Sequence, residues 1–276
     1  MEGSRQKSII ITGASGGMGS AATEEMARRG YRVIMACRNL EKAGRVRAGI
    51  LSRVPGARLD IEELHLDSFA SIRDFAGRMR KEAPLDALFN NAGVLPRHYS
   101  LTSEGYEQTL GVNYMGPWLL SSLILPLLGE DAGIVNMVSI SAKAARLDRN
   151  FFDKGERDFH QLRTYADTKL ALIYFSIALA QKSGCRVNMA DPGIVDTDMI
   201  RLGRWFDPLT DIFFRPFCNS PHKGAMPAVN ALCSGCNIQI FSSKGHRDVP
   251  PELMEHSGDM EWLWNETLSR VSAQKK

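Results

Sequence analysis

From residue 8 the chain reads Ser8-Ile9-Ile10-Ile11-Thr12-Gly13-Ala14-Ser15-Gly16-Gly17-Met18-Gly19. The first half is a short apolar, β-branched run, suited to a strand buried on both faces. The second half carries glycines at 13, 17 and 19, in the spacing G-x-x-x-G-x-G, and a helical pattern follows from Gly17 to Arg29. A strand that turns sharply through glycines into a helix offers backbone N–H groups and a helix N-terminus to whatever lies beyond the strand. A pyrophosphate needs both. Gly13, Ser15, Gly17, Met18 and Gly19 are therefore candidate cofactor contacts.

Outward from this turn, apolar runs alternate with amphipathic stretches. Strands are expected at Arg32–Ala36, Leu59–Leu66, Leu85–Phe89, Ile134–Ser139, Arg186–Ala190 and Asn237–Phe241, after the first at Ser8–Thr12. Helices are expected at Leu40–Val54, Ser68–Lys81, Ser103–Leu110, Tyr114–Leu127, Leu162–Lys182, Pro221–Leu232 and Asp259–Ser269. The alternation implies an α/β fold of the Rossmann type: a doubly wound, mostly parallel, seven-stranded sheet with helices on both faces. No linker or internal repeat divides it, so residues 1–276 read as one domain.

Composition narrows the function classes. Net charge is only +3, from 34 basic and 31 acidic residues scattered along the chain, which gives no footprint for nucleic acid. No run approaches the ~20 continuous apolar residues of a membrane helix. The expectation is a cytoplasmic protein without a transmembrane anchor. Five cysteines in no framework spacing argue against a disulfide scaffold, and Cys233 and Cys236 lack the second pair that a zinc site needs, so no metal is expected.

The second strand leads into Ala36-Cys37-Arg38-Asn39, and Arg38 falls 19 residues beyond Gly19. An acidic residue near this distance would hold the ribose 2′-hydroxyl of NAD. A guanidinium instead suits a 2′-phosphate. NADP(H) is therefore favoured over NAD(H). Asp67, after the third strand, is within plausible reach of an adenine amine, or belongs to a helix N-cap region.

The glycine turn, Asn90-Asn91-Ala92-Gly93, Asn113, Ser139, Tyr165-x-x-x-Lys169 and Pro192-Gly193 occur in one order. Together they resemble the short-chain dehydrogenase/reductase family, over roughly residues 7 to 245. The Ala-Cys-Arg segment and an insertion before Tyr165 are similar to the branch of retinol dehydrogenases and carbonyl reductases. The resemblance implies a catalytic tetrad of Asn113, Ser139, Tyr165 and Lys169. It also implies cofactor contacts from Asn90, Ala92, Gly93, Pro192, Gly193, Val195 and Thr197, besides Tyr165 and Lys169. Ser139 is preferred to Ser141 by counting from Asn136.

Tyr165 and Lys169 are one helical turn apart and share a face. A phenol ionises at a pKa of ~10, and an ammonium ~4 Å away contributes up to ~4 kcal/mol, so the expectation is a phenol brought towards neutrality. Such a group exchanges protons with a substrate oxygen, while Ser139 stabilises charge growing there. Between residues 196 and 222 the chain is rich in aromatic and aliphatic residues. In the resemblance this is a substrate lid, and it suggests a lipophilic ketone, aldehyde or alcohol; core or subunit packing explains it equally well. The insertion, about 143–161, is polar enough to form a pocket rim or to cover a dimer face, so a homodimer stays open. A non-catalytic NADPH-binding regulator and an epimerase or dehydratase on the same fold are the rival readings.

Overall fold

The computed structural model describes residues 5–193, 195 and 219–274. Eight strands form one sheet: β1 Ser8–Thr12, β2 Arg32–Cys37, β3 Leu59–Glu63, β4 Leu85–Asn90, β5 Leu128–Met137, β6 Arg186–Ala190, β7 Gln239–Ser242 and β8 Gly245–Asp248. Their order is β3-β2-β1-β4-β5-β6-β7-β8. All neighbouring pairs are parallel except β7 with β8. The chain steps outward from β1 to β3, then crosses back to β4. That reversal leaves a crevice at the carboxyl ends of β1 and β4, where this kind of sheet binds ligands.

The sheet departs from the seven strands expected. β8 is the addition, a hairpin partner made of Gly245, His246, Arg247 and Asp248, all exposed. With no apolar alternation it carries no strand signal. β3 ends earlier than expected because the chain turns off the sheet after Glu63, keeping one bond from Leu64 N–H to the Cys37 carbonyl (3.1 Å).

The isoleucine run explains why β1 is central. Ile9, Ile10 and Ile11 are each fully buried. Ile9 and Ile11 join one apolar cluster with Ala22, Met26, Ala228 and Val229, and Ile10 joins the other with Phe75, Tyr114 and Phe175. The first face is covered by helices α1 (Gly17–Arg28) and α6 (Pro221–Cys233), with α2 (Leu40–Arg53). The opposite face is covered by α3 (Phe69–Met79), α4 (Gln108–Leu127), α5 (Gln161–Ser183) and α7 (Ser257–Ala273). Among the described residues α4 is long and apolar enough to cross a membrane, but 72% of that stretch is buried, as befits a core helix. Within α4 the backbone widens into a π turn at Gly111–Met115, closed by a bond from Gly116 N–H to the Gly111 carbonyl. Such turns often mark functional positions, and Asn113 lies in this one.

The insertion before Tyr165 lines a cavity with Lys143, Ala145, Arg146 and Leu147, and its later part is anchored in the core. Phe151 and Phe152 are each 4% exposed. They meet edge to face at 5.0 Å, and Phe151 packs against Tyr114 at 5.7 Å. Asp153 pairs with Arg270 of α7 at 2.6 Å, and Lys154 pairs with the buried Asp167 of α5 at 3.1 Å. Two aromatic side chains thus anchor an otherwise charged segment over α4 and α5. Phe152→Ala should cost about 3–5 kcal/mol and lower the midpoint of thermal unfolding by several degrees. An unchanged midpoint would show that the insertion is not part of the core.

Candidate active site

The loop after β4 hangs from a single hydroxyl. Thr12 Oγ1, at the end of β1, accepts the N–H groups of Asn91 and Ala92, both at 3.0 Å. The Asn91 side-chain amide returns a bond to the Thr12 carbonyl at 2.8 Å. This packs Ala92 against the glycine turn so closely that a Cβ on Gly13, whose φ is +63°, would lie 3.0 Å from Ala92 Cα. A Cβ on Gly19 would lie 2.2 Å from the Gly13 carbonyl oxygen. Glycine is required at both places by the protein's own backbone.

That tight turn leaves the start of α1 open. Gly16 is the N-cap, no side chain caps the helix, and no acidic residue stands in its first turn. The donors of the first helical turn are therefore free for an anion. Beside them a groove runs along the strand ends, with Arg38 and Asp67 at one end and Ala92, Gly93 and Val94 at the other. Arg38 is 64% exposed and lies 3.9 Å from Asp67. Asp67 also accepts a bond from Gln108 Nε2 (3.0 Å). Uncapped donors, a groove and an exposed cation fit a phosphorylated dinucleotide.

On the far side, the Pro192-Gly193 turn follows β6. Asn219 donates to the Pro192 carbonyl (3.2 Å), and Val195 forms a β-bridge with Asn219. Gly224 of α6 brings the two loops together: a Cβ there would lie 2.6 Å from Val195 and 3.3 Å from Met18 Sδ. Thr197 and most of the expected lid lie outside the described residues.

Asn90 does not face the groove. Its side chain is 2% exposed and donates to Ser121 and to Asn136, both at 2.8 Å. Asn136 donates onward to Ser176 (2.8 Å). This is a polar seam beneath the sheet's surface, so only the Asn90 backbone is available to a ligand. Asn91, which the motif contained but the sequence reading passed over, fixes the turn instead. Asn219 carried no sequence signal.

The proposed tetrad residues converge at the end of β5. Ser139 follows that strand in extended conformation and caps a short helical turn; Ser141 donates to it from its N–H (3.2 Å) and its hydroxyl (3.0 Å). Ser139, rather than Ser141, is the hydroxyl whose influence lowers the Tyr165 pKa. Lys169 is 3% exposed and donates to the Met137 carbonyl at 2.7 Å. Asn113 and the loop exchange two bonds: Val94 N–H to Asn113 Oδ1 (2.8 Å) and Asn113 Nδ2 to the Val94 carbonyl (2.9 Å). A Cβ on Gly93 would lie 3.4 Å from Asn113 Oδ1 and 3.8 Å from Lys169 Nζ, so the three residues share one corner.

The electrostatics differ from the expectation of a phenol drawn towards neutrality. Burial pushes Tyr165 up to about 12, the Ser139 hydrogen bond opposes this, and the Asp191 charge adds to it. Burial pushes Lys169 down to about 8. The reason is geometric: Nζ sits 5.5 Å from the Tyr165 ring centroid and gives its bond to Met137. Desolvation therefore outweighs the ammonium. In this state Tyr165 is a proton donor at neutral pH.

The profile of the short chain dehydrogenase family matches residues 7–204. The chain belongs to the short-chain dehydrogenase/reductase family. It is 34% identical to mouse (Mus musculus) retinol dehydrogenase 14 over 275 residues, covering 91% of this chain and 82% of that protein. It is 35% identical to human (Homo sapiens) retinol dehydrogenase 11 over 280 residues, covering 96% and 82%. Among solved structures, a protein of Mycobacterium paratuberculosis superposes with a TM-score of 0.78 at 24% identity, over 97% of this chain and 94% of that one. A short-chain dehydrogenase of Sphingobium yanoikuyae in complex with NADPH has a TM-score of 0.66 at 20% identity, over 94% and 95%. The chain is thus of the retinol dehydrogenase branch, an oxidoreductase of a family that uses nicotinamide dinucleotides.

The depressed Lys169 value has a consequence for stability. Between about 8 and the usual 10.5, the unfolded chain holds the lysine proton and the folded chain does not. Stability therefore rises with pH across that window, relative to a variant without the amine. Denaturant unfolding of the native protein and Lys169→Met at the two ends of the window should show the native protein gaining on the variant. A constant difference would contradict the burial account.

Proposed function

We propose that this chain is an NADP(H)-dependent carbonyl reductase or alcohol dehydrogenase acting on a lipophilic ketone, aldehyde or alcohol. The observation that carries the reading is the double position of Ser139. Its hydroxyl is near enough to the Tyr165 phenol to lower its pKa, and the same residue lines a cavity of about 680 Å³. The wall is largely aliphatic, with Val138, Leu170, Ile173, Ile240 and Leu253 among its residues. A carbonyl oxygen held by Ser139 then lies beside a protonated phenol. The retinol dehydrogenases to which the chain is similar favour the same class of substrate.

Each residue has a task that its surroundings allow. The uncapped start of α1, with Gly17, Met18 and Gly19, would hold a pyrophosphate, and Arg38 a 2′-phosphate. Bound there, the dinucleotide supplies or accepts the hydride. In reduction, Tyr165 Oη gives its proton to the substrate oxygen, and Ser139 Oγ stabilises the negative charge that grows on it. Lys169 keeps two N–H groups beyond the one given to Met137, for a ribose hydroxyl and a water. Asn113 holds the Gly93-Val94 backbone next to that ammonium. In oxidation the phenol must first lose its proton, and the raised value opposes this.

Two variants test the reading in NADPH-consumption assays over a panel of ketones and aldehydes. Tyr165→Phe should lower kcat/KM by about 10²–10⁴-fold while NADPH binding, followed by fluorescence, stays intact. Retained turnover would defeat the assignment. Arg38→Glu should raise the KM for NADPH by about tenfold or more and bring NADH to parity. An unchanged preference would remove Arg38 from the cofactor site.

A further inference from the structure

Asp191 stands between β6 and the Pro192-Gly193 turn, and it is held from both sides. Its N–H donates to the Phe241 carbonyl of β7 at 2.8 Å. Its Oδ1 accepts the Gly193 N–H at 3.0 Å, across a turn in which Gly193 has a φ of +69°. Its second carboxylate oxygen has no hydrogen-bond or ion-pair partner among the described residues. The side chain is half-buried and lines the same cavity as Ser139. It is close enough to Tyr165 for its charge to act on the phenol.

The other charged groups on that wall stand differently. Lys143, Arg146, Arg247 and Glu252 are exposed. Asp259 is paired with Arg149 at 3.3 Å. Asp191 is therefore a carboxylate in the same largely aliphatic chamber as Ser139, with one oxygen that has no partner among the described residues. A substrate that fills the chamber strips water from that oxygen. If the substrate brings no donor, the desolvation goes uncompensated. If it brings one, the bond is charge-assisted and short. Sites built around an unpaired polar group reject analogues lacking the matching donor far more strongly than apolar pockets reject size. The exposed cations Lys143, Arg146 and Arg247 disfavour a cationic donor and favour a neutral one, of which a hydroxyl is the simplest.

We infer that Asp191 is a specificity-determining residue whose free carboxylate oxygen accepts a hydrogen bond from a hydroxyl next to the substrate's reacting carbon. The substrate class is then an α-hydroxy ketone or aldehyde with an apolar tail, or the corresponding vicinal diol in oxidation. This rests on the carbonyl-reductase reading above and narrows it. The substrate hydroxyl keeps its proton throughout; only the carbonyl carbon gains hydride and the carbonyl oxygen gains the Tyr165 proton.

The test uses the full chain with NADPH and two matched ketones, methyl octyl ketone and octyl hydroxymethyl ketone. The native protein should favour the hydroxymethyl ketone in kcat/KM by about tenfold or more. Asp191→Asn keeps an acceptor for the Gly193 N–H but loses the charge, and it should bring that ratio down several-fold. Asp191→Ser, which is too short to reach the hydroxyl, should bring it to about one. NADPH affinity, measured on each variant, reports whether the turn and fold survive. A ratio near one in the native protein, or an unchanged ratio in both variants, overturns this inference and leaves the reductase reading standing. Turnover of neither ketone, nor of any carbonyl in the panel, overturns both.

Discussion

A lysine with 3% of its surface exposed needs a partner, and Lys169 has one in the carbonyl of Met137. That bond ties α5 to the end of β5 at the place where the strand runs out. Because Tyr165 lies one turn earlier on the same helix, fixing Lys169 also fixes the phenol. Because Ser139 lies two residues beyond Met137, the same bond sets the distance between phenol and hydroxyl. On the other side, Asn113 and Gly93 close the corner around the ammonium. The site is thus a consequence of how one buried amine is accommodated at a strand end, with the strand order supplying the open crevice.

The cost of that burial shapes the chemistry. An amine pushed down to about 8 and a phenol pushed up to about 12 are both biased towards their neutral forms. A neutral phenol beside Ser139 is an acid in waiting. The Asp191 carboxylate reinforces this bias and the Ser139 hydroxyl works against it, so the phenol keeps its proton until a substrate oxygen gaining negative charge takes it. The uncapped start of α1 and the exposed Arg38 complete the arrangement at the opposite end of the crevice, with positive potential where phosphates would lie.

Much of this was legible in the chain. Ile9, Ile10 and Ile11 could only be a strand covered on both sides, and Gly13 and Gly19 after them are required by backbone contacts under 3.1 Å. Tyr165 and Lys169 share a face because of helical geometry alone. Three things were hidden. β8 is polar and exposed, so no hydrophobic pattern marks it. The insertion reads as polar because its anchors are only two residues, Phe151 and Phe152, whose partners are far away in sequence. The Tyr165 value depends on where Nζ points and on how deeply the phenol sits, and neither follows from residue spacing. Likewise Asn90 and Asn91 are neighbours in one motif, and only the fold tells that the first faces inward and the second holds the turn.

The central claim is that Ser139 and Tyr165, set by the buried Lys169, receive a carbonyl oxygen between them. A crystal structure of the ternary complex with the oxidised dinucleotide and a non-reacting ketone measures this directly. The account predicts a ketone oxygen within about 3 Å of both Ser139 Oγ and Tyr165 Oη, with Lys169 still bonded to Met137. A ketone oxygen bound elsewhere, with the Tyr165 hydroxyl turned away from it, would contradict the account.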